Sequence, residues 1–236
     1  MKTLLALGAL LFAAQAHAAE FPWAKDKPVL DATIADVRTG GILAVKPHVA
    51  ALEEALTHAK PAFAMAESDP ATLYVLIDGP TDTPTALMAA AIGPTRKKPV
   101  AAFNPYPGVA FFLSTYYDAS ARPADALRVL DAALALPYPD RSEHRTDLLV
   151  ERGSALAGLK RWKEAIASYD AALAIPGAAP ALQAYVYRGK ASALTAMGHG
   201  GEAKAWSGKA DDLLKDNKRN QMEYAEILAL KSPRPH

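Results

Sequence analysis

From Tyr106 to the C-terminal region, apolar positions recur about every three to four residues, the spacing of short helices with one greasy side. Phe111, Phe112, Leu113, Tyr116 and Tyr117 mark one such helix, and Leu127, Leu130 and Leu134 mark the next, which Pro123 opens where a missing N–H costs nothing. A second pair follows, with Leu149, Gly153 and Leu156 on its first helix, Trp162 at the turn, Ala165, Tyr169 and Ala172 on its second, and Pro176 closing it. The third pair has Tyr185, Tyr187, Leu194 and Met197 before the turn Gly198-His199-Gly200-Gly201. Residues Asn220–Leu230 then read as a final helix with a polar face, as expected of a terminal cap. Helices of about 12 residues are marginal alone in water, so each must shelter its apolar side against a neighbour.

A local phrase repeats through this region. It reads Asp125-Ala126-Leu127-Arg128-Val129-Leu130-Asp131-Ala132-Ala133-Leu134, returns as Glu164-Ala165-Ile166-Ala167-Ser168-Tyr169-Asp170-Ala171-Ala172-Leu173, and returns in weaker form from Glu202 to Ala210. The anchoring alanines Ala126, Ala165 and Ala203 lie 39 and 38 residues apart, a period that belongs to stacked helical hairpins. At these positions the chain resembles the tetratricopeptide repeat family over residues 106–215. The resemblance implies a right-handed stack of about three hairpins, with Gly153 and Ala165 as a touching pair where two helices cross. The family unit is about 34 residues, and the extra residues are assigned to the connectors Pro137–Asp140 and Pro176–Pro180. Asp140 with Glu143 reads as a capping box for the helix that follows.

Between Glu20 and Asn104 prolines at 22, 28, 47, 61, 70, 80, 84, 94 and 99 break the pattern, and the reading admits only one good helix, Val49–Lys60, stopped by Pro61. Ala55 precedes Ala133 by twice 39 residues, so this helix is also a candidate degenerate half-repeat. Thr72–Gly79 is the best strand, Lys98–Phe103 a second, and Thr85–Ile92 fits either helix or strand. The predicted fold is therefore mainly α: a signal segment at 1–18, a small Pro-rich mixed α/β region at 19–104, and a repeat domain at 105–232.

The start of the chain changes the expected location. Lys2 is followed by an apolar run to Ala14, and small residues recur at Ala14, Ala16 and Ala18, the spacing a signal peptidase accepts. Cleavage near Ala18 and a periplasmic or secreted protein are expected. The alternative, a retained anchor, requires about 20 apolar residues, and the run here is shorter. No later stretch is apolar enough to span a bilayer, so no stable span is expected after cleavage. Cysteine is absent, which removes lipid-modified cysteine, disulfides and thiolate chemistry together. The 26 basic and 25 acidic residues become equal once Lys2 is removed, and nothing in that balance favours nucleic acid.

Candidate chemistry is sparse. His48, His58, His144, His199 and His236 have no ligand spacing on one helix, so no metal or cofactor is expected. Gly93-Pro94-Thr95-Arg96-Lys97-Lys98 lacks the second glycine of a phosphate loop, and there is no Gly-x-Ser-x-Gly elbow. Arg141–Arg145 holds nucleophile, acid and base types, but neighbours on a helix point in different directions. Asp78 and Asp82 near a strand end are the remaining acid–base candidates.

What the family resemblance implies instead is a concave groove lined by the first helix of each hairpin. Carried over by position, that face comprises Phe111, Thr115 and Asp118, then Asp147, Val150 and Ser154, then Tyr185, Arg188 and Ser192. Phe111, Val150 and Tyr185 have core as their competing role. The lysine-and-asparagine set by which some relatives grip a C-terminal carboxylate is missing. The leading expectation is a non-catalytic scaffold that binds a protein or peptide partner in the cell envelope. The alternatives are an enzymatic or ligand-binding N-terminal element positioned by the repeats, and a subunit of a larger assembly of undetermined oligomeric state.

Overall fold

Three successive turns of the chain are built the same way. In each, a residue in the left-handed region ends a helix: Ala121 at φ 57°, Lys160 at φ 60° and Gly198 at φ 83°. The next residue sends its N–H back five positions to a helix carbonyl, Arg122 to Tyr117 at 2.8 Å, Arg161 to Leu156 at 2.9 Å and His199 to Leu194 at 2.9 Å. This closes the otherwise unbonded carbonyls of the helix end in a Schellman turn. The same residue then pairs with an acid three positions on, Arg122 with Asp125, Arg161 with Glu164 and His199 with Glu202. The acids sit in the first helical turn, where they also complement the helix dipole.

The computed structural model describes residues 22–77, 97–137 and 143–231. Its turns join three helix pairs: α3 (Tyr106–Ala119) with α4 (Pro123–Leu134), α5 (Glu143–Gly158) with α6 (Trp162–Ala174), and α7 (Pro180–Ala196) with α8 (Gly200–Leu214). The repeat anchors Ala126, Ala165 and Ala203 are buried, at 1%, 0% and 5% exposure, which places them at helix crossings where only a small side chain fits. The third pair is complete despite its glycine-rich turn. There the Trp206 ring packs on Tyr187 at 5.2 Å, with Lys190 and Lys209 over its face.

At Gly153 the side chain closest to where a Cβ would stand is that of Tyr169. The three atoms nearest to a Cβ placed on Gly153 all belong to the Tyr169 ring.

The N-terminal region holds more helix than its prolines predict. Helix α1 (Lys27–Gly40) precedes a 3₁₀ segment Ile42–His48, and helix α2 runs from Val49 to Ser68, straight through Pro61. Pro28 falls in the first turn of α1, where the ring is tolerated, and Leu30, Thr33 and Val37 are its buried stripe. Pro61 lies on the exposed side of α2, and the carbonyl it cannot serve is that of exposed Thr57, within reach of water. Burial of Ala59 and Ala62 beside Tyr106 and Leu136 holds the helix beyond that point.

Strand β1 (Thr72–Ile77) pairs in parallel with β2 (Lys98–Phe103), in register from Thr72 opposite Lys98 to Ile77 opposite Phe103. Both strands stand where the sequence pattern places them. One core cluster runs from Leu30, Val37, Ile42, Val45 and Leu52 into Val109, Leu113, Leu130, Leu148 and Leu156, so the N-terminal helices and the helix pairs share an interior. Among the described residues no helix is long and apolar enough to cross a membrane. The signal segment 1–18, the acids Asp78 and Asp82, Thr85–Ile92, the start of the lysine-bearing loop, Tyr138–Asp140 and His236 lie outside the described residues.

A face formed by the first helices

Helix α9 (Lys218–Lys231) is not a plain lid on the end of the stack. It packs chiefly along α7, touches α8 more lightly, and carries its C-terminal end back to α5 and α3. The face it crosses is the one made by the first helix of each pair. Its hold is uneven. None of its residues is fully buried, and Met222 and Leu228 are 65% and 42% exposed. Its firm contacts are Asn220 and Gln221, whose side-chain amides donate to the Leu213 and Leu214 carbonyls at 2.8 Å, Tyr224, whose ring lies 5.9 Å from the Arg188 guanidinium, Leu230 on the edge of the core, and Lys231.

Lys231 donates to the Glu151 carboxylate, and its ammonium lies 4.2 Å from the Tyr185 ring centroid. The two charged side chains are 15% and 5% exposed. Burial disfavours the charged lysine, but Glu151 and the Tyr185 phenol group outweigh it and hold the ammonium above its usual range. The Thr115 hydroxyl, which donates to the Phe111 carbonyl at 2.7 Å, lies 3.5 Å from the second Glu151 oxygen. Ser154 Oγ meets the hydroxyls of Tyr185 and Tyr169 at 3.3 and 3.4 Å. Asp118 completes the group: burial, then repulsion from Glu151, pushes its carboxyl up to about 6, with Lys231 pulling the other way.

Of the nine residues assigned to this face by repeat position, Thr115, Asp118, Ser154 and Tyr185 therefore gather around one ion pair. Arg188 lies under Tyr224 and pairs with Asp211 at 2.6 Å. Ser192 is exposed farther along α7. Phe111 packs edge-on to Phe112 at 5.4 Å on the core rim, and Val150 is at 0% exposure within the core. Asp147 lines a separate pocket with Thr146, Pro176, Gly177, Ala178, Ala179 and Leu182, against the second connector.

The residue at the centre of the cluster, Glu151, escapes repeat-position reasoning, as does its partner Lys231. Glu151 follows Val150 in α5, and the one available signal is an acid placed between Leu148 and Ala155 on an otherwise apolar face. Lys231 sits 80 residues away, and nothing local announces the pairing.

The Asp118 shift has a measurable consequence. Its ordinary value is 3.8, so the folded protein binds this proton more tightly than the unfolded chain does. The stability it contributes is present below about pH 3.8 and is lost as pH rises through about 6. Denaturant titrations across that window will show wild type losing about 2 kcal/mol relative to Asp118→Asn. Parallel pH profiles for the two proteins would contradict the assignment.

Among the described residues no three His, Asp or Glu side chains gather as a metal-holding group. No family model matches the chain. No curated protein matches it either. Among solved structures it is similar to one titled "MamA AMB-1 P212121", at 20% identity over 85% of this chain and 97% of that one, with a TM-score of 0.38.

Proposed function

We propose that this chain is a tetratricopeptide-like scaffold of the cell envelope, exported by its first 18 residues, that holds a protein or peptide segment on the face made by α3, α5 and α7. The observation carrying this reading is that the face accommodates a helix already: α9 lies across all three first helices and is fastened mainly by side chains at its two ends. Short apolar and charged contacts of this kind, with no reactive constellation beside them, suit recognition better than catalysis. The apolar run before Ala14 and the small residues at Ala16 and Ala18 support export. The balanced charge supports a protein partner over nucleic acid.

A photo-crosslinking residue placed at Arg188 or Ser192, on the proposed binding face, is expected to trap the native envelope partner. The same group at Lys163, exposed on second helix α6, is expected to trap nothing above background. Equal adducts from both faces, or none from α7, would overturn the reading.

A further inference from the structure

The seat occupied by Lys231 has a built-in demand. Glu151 is 5% exposed and sits beside the Tyr185 ring and the Thr115 hydroxyl, with the Asp118 charge close enough for the two acids to repel and for Lys231 to attract both. A buried carboxylate deprived of its cation is strongly unfavourable, because neither water nor a counter-ion replaces the lost partner fully. An aromatic face adds attraction for a cation and none for an anion. Whatever displaces α9 from this face must therefore bring a positive charge of its own to the same place.

Between its two ends α9 is loosely held. It buries no residue completely, and its apolar Met222 and Leu228 already face solvent. It is joined to α8 through Lys215-Asp216-Asn217, with Asp216 at φ 54° and with the Asn220 and Gln221 side chains donating to the Leu213 and Leu214 carbonyls at 2.8 Å.

We infer that Glu151, Asp118, Tyr185 and Thr115 form a lysine-reading pocket, and that α9 is its resident occupant within the chain, displaced by a partner segment that presents a lysine next to an apolar residue, as Leu230–Lys231 does. This names the partner chemistry of the face described above and rests on that reading. The requirement excludes acidic segments and selects against neutral ones, since either leaves Glu151 uncompensated. Lysine fits because its compact ammonium offers three donors on a flexible stem, enough to serve a carboxylate and stack on a ring together.

The test uses the full chain carrying Lys231→Gln, which vacates the seat, and a fluorescent synthetic peptide of residues 218–231. The peptide is expected to bind this chain at least about tenfold more tightly than its own Lys231→Gln version, a difference of about 1.4 kcal/mol. A Lys231→Glu peptide is expected to bind more weakly still. Wild-type chain is expected to bind the lysine peptide about tenfold more weakly than the variant chain does, because its own α9 competes. Adding Glu151→Gln to the variant chain is expected to abolish the preference for lysine.

If the opened chain keeps its helical spectrum and binds lysine and glutamine peptides equally, the pocket is refuted while the face survives as a binding surface. The crosslinking result decides the face itself. A wild-type protein that sediments as a dimer with exchanged α9 would overturn occupancy within one chain. Should the Lys231→Gln chain fail to fold, the peptide ranking on wild type at higher concentration decides the same question: lysine ahead of glutamine supports the pocket, and equal binding refutes it.

Discussion

Gly153→Ala is expected to lower the unfolding free energy by about 3 kcal/mol, although alanine is the better helix former. At an exposed helical position the same exchange would stabilise by about 1 kcal/mol. Here the added methyl would lie 2.4 Å from Tyr169 Cε1 and 2.6 Å from Cδ1, far inside van der Waals contact. The ring cannot yield on its other side, because Gly189 of α7 faces it equally closely: a Cβ there would meet Tyr169 Cζ at 2.7 Å and the hydroxyl oxygen at 2.8 Å. Tyr169 is 2% exposed, and its hydroxyl reaches Ser154. Burial pushes that phenol well above its ordinary range, so it is neutral at any working pH.

One ring from α6 is thus gripped by backbone from two successive first helices, which fixes how the second and third pairs stack. The measurement is a double-mutant cycle with Tyr169→Leu. Gly153→Ala should cost much less once the ring is gone, with a coupling of about 2 kcal/mol. Additive effects, or a Gly153→Ala protein as stable as wild type, would show that the ring does not fill that space.

This contact illustrates what the sequence makes readable. The 39- and 38-residue spacing of Ala126, Ala165 and Ala203 is legible because small residues at helix crossings are a local requirement, repeated wherever a crossing recurs. Both strands are legible for a similar reason: short, largely apolar runs between turn signals leave few other options. Which atom fills the space beside Gly153 depends on rotamers and on the approach of α7, and no spacing rule carries that.

Helix α1 was hidden by Pro28 and Pro47, residues whose effect depends on position within a turn. Pro61 misleads in the same sense, since an exposed proline can persist inside a helix when burial on the far side outweighs the lost bond. The first-helix face was half legible. Repeat position brings Thr115, Asp118, Ser154 and Tyr185 to one place, but it puts Val150 on that face although the side chain is core. It also passes over Glu151, because the meaning of a buried acid lies in its cation, and that cation is supplied from the far end of the described chain.

The other large effect concerns the joint between the N-terminal helices and the repeats. Asp26, just before α1, is 4% exposed, and its two oxygens accept from different elements: Oδ2 from the Tyr106 hydroxyl of α3 at 3.0 Å, Oδ1 from His58 Nδ1 of α2 at 2.9 Å. Tyr106 is at 0% exposure and packs against Phe63 of α2 at 6.2 Å. Burial, then the Asp26 charge, pushes its phenol far above the ordinary range. Asp26→Ala removes the carboxylate acceptor from a buried hydroxyl and unties three elements together, for a loss of about 3 kcal/mol. His58 is 43% exposed and can turn to water, so most of the loss comes through Tyr106. Asp26→Asn keeps an acceptor and should recover more than half.

Because Leu30, Val37 and Leu52 belong to the same core as Leu113 and Leu130, the loss is expected in one transition. With Trp23 replaced by Phe, circular dichroism and the fluorescence of Trp162 and Trp206, both in the repeats, should shift to the same lower denaturant midpoint. If the helical signal instead fell in two steps, with the tryptophan transition where wild type has it, Asp26 would anchor the N-terminal helices alone and the repeats would stand without them.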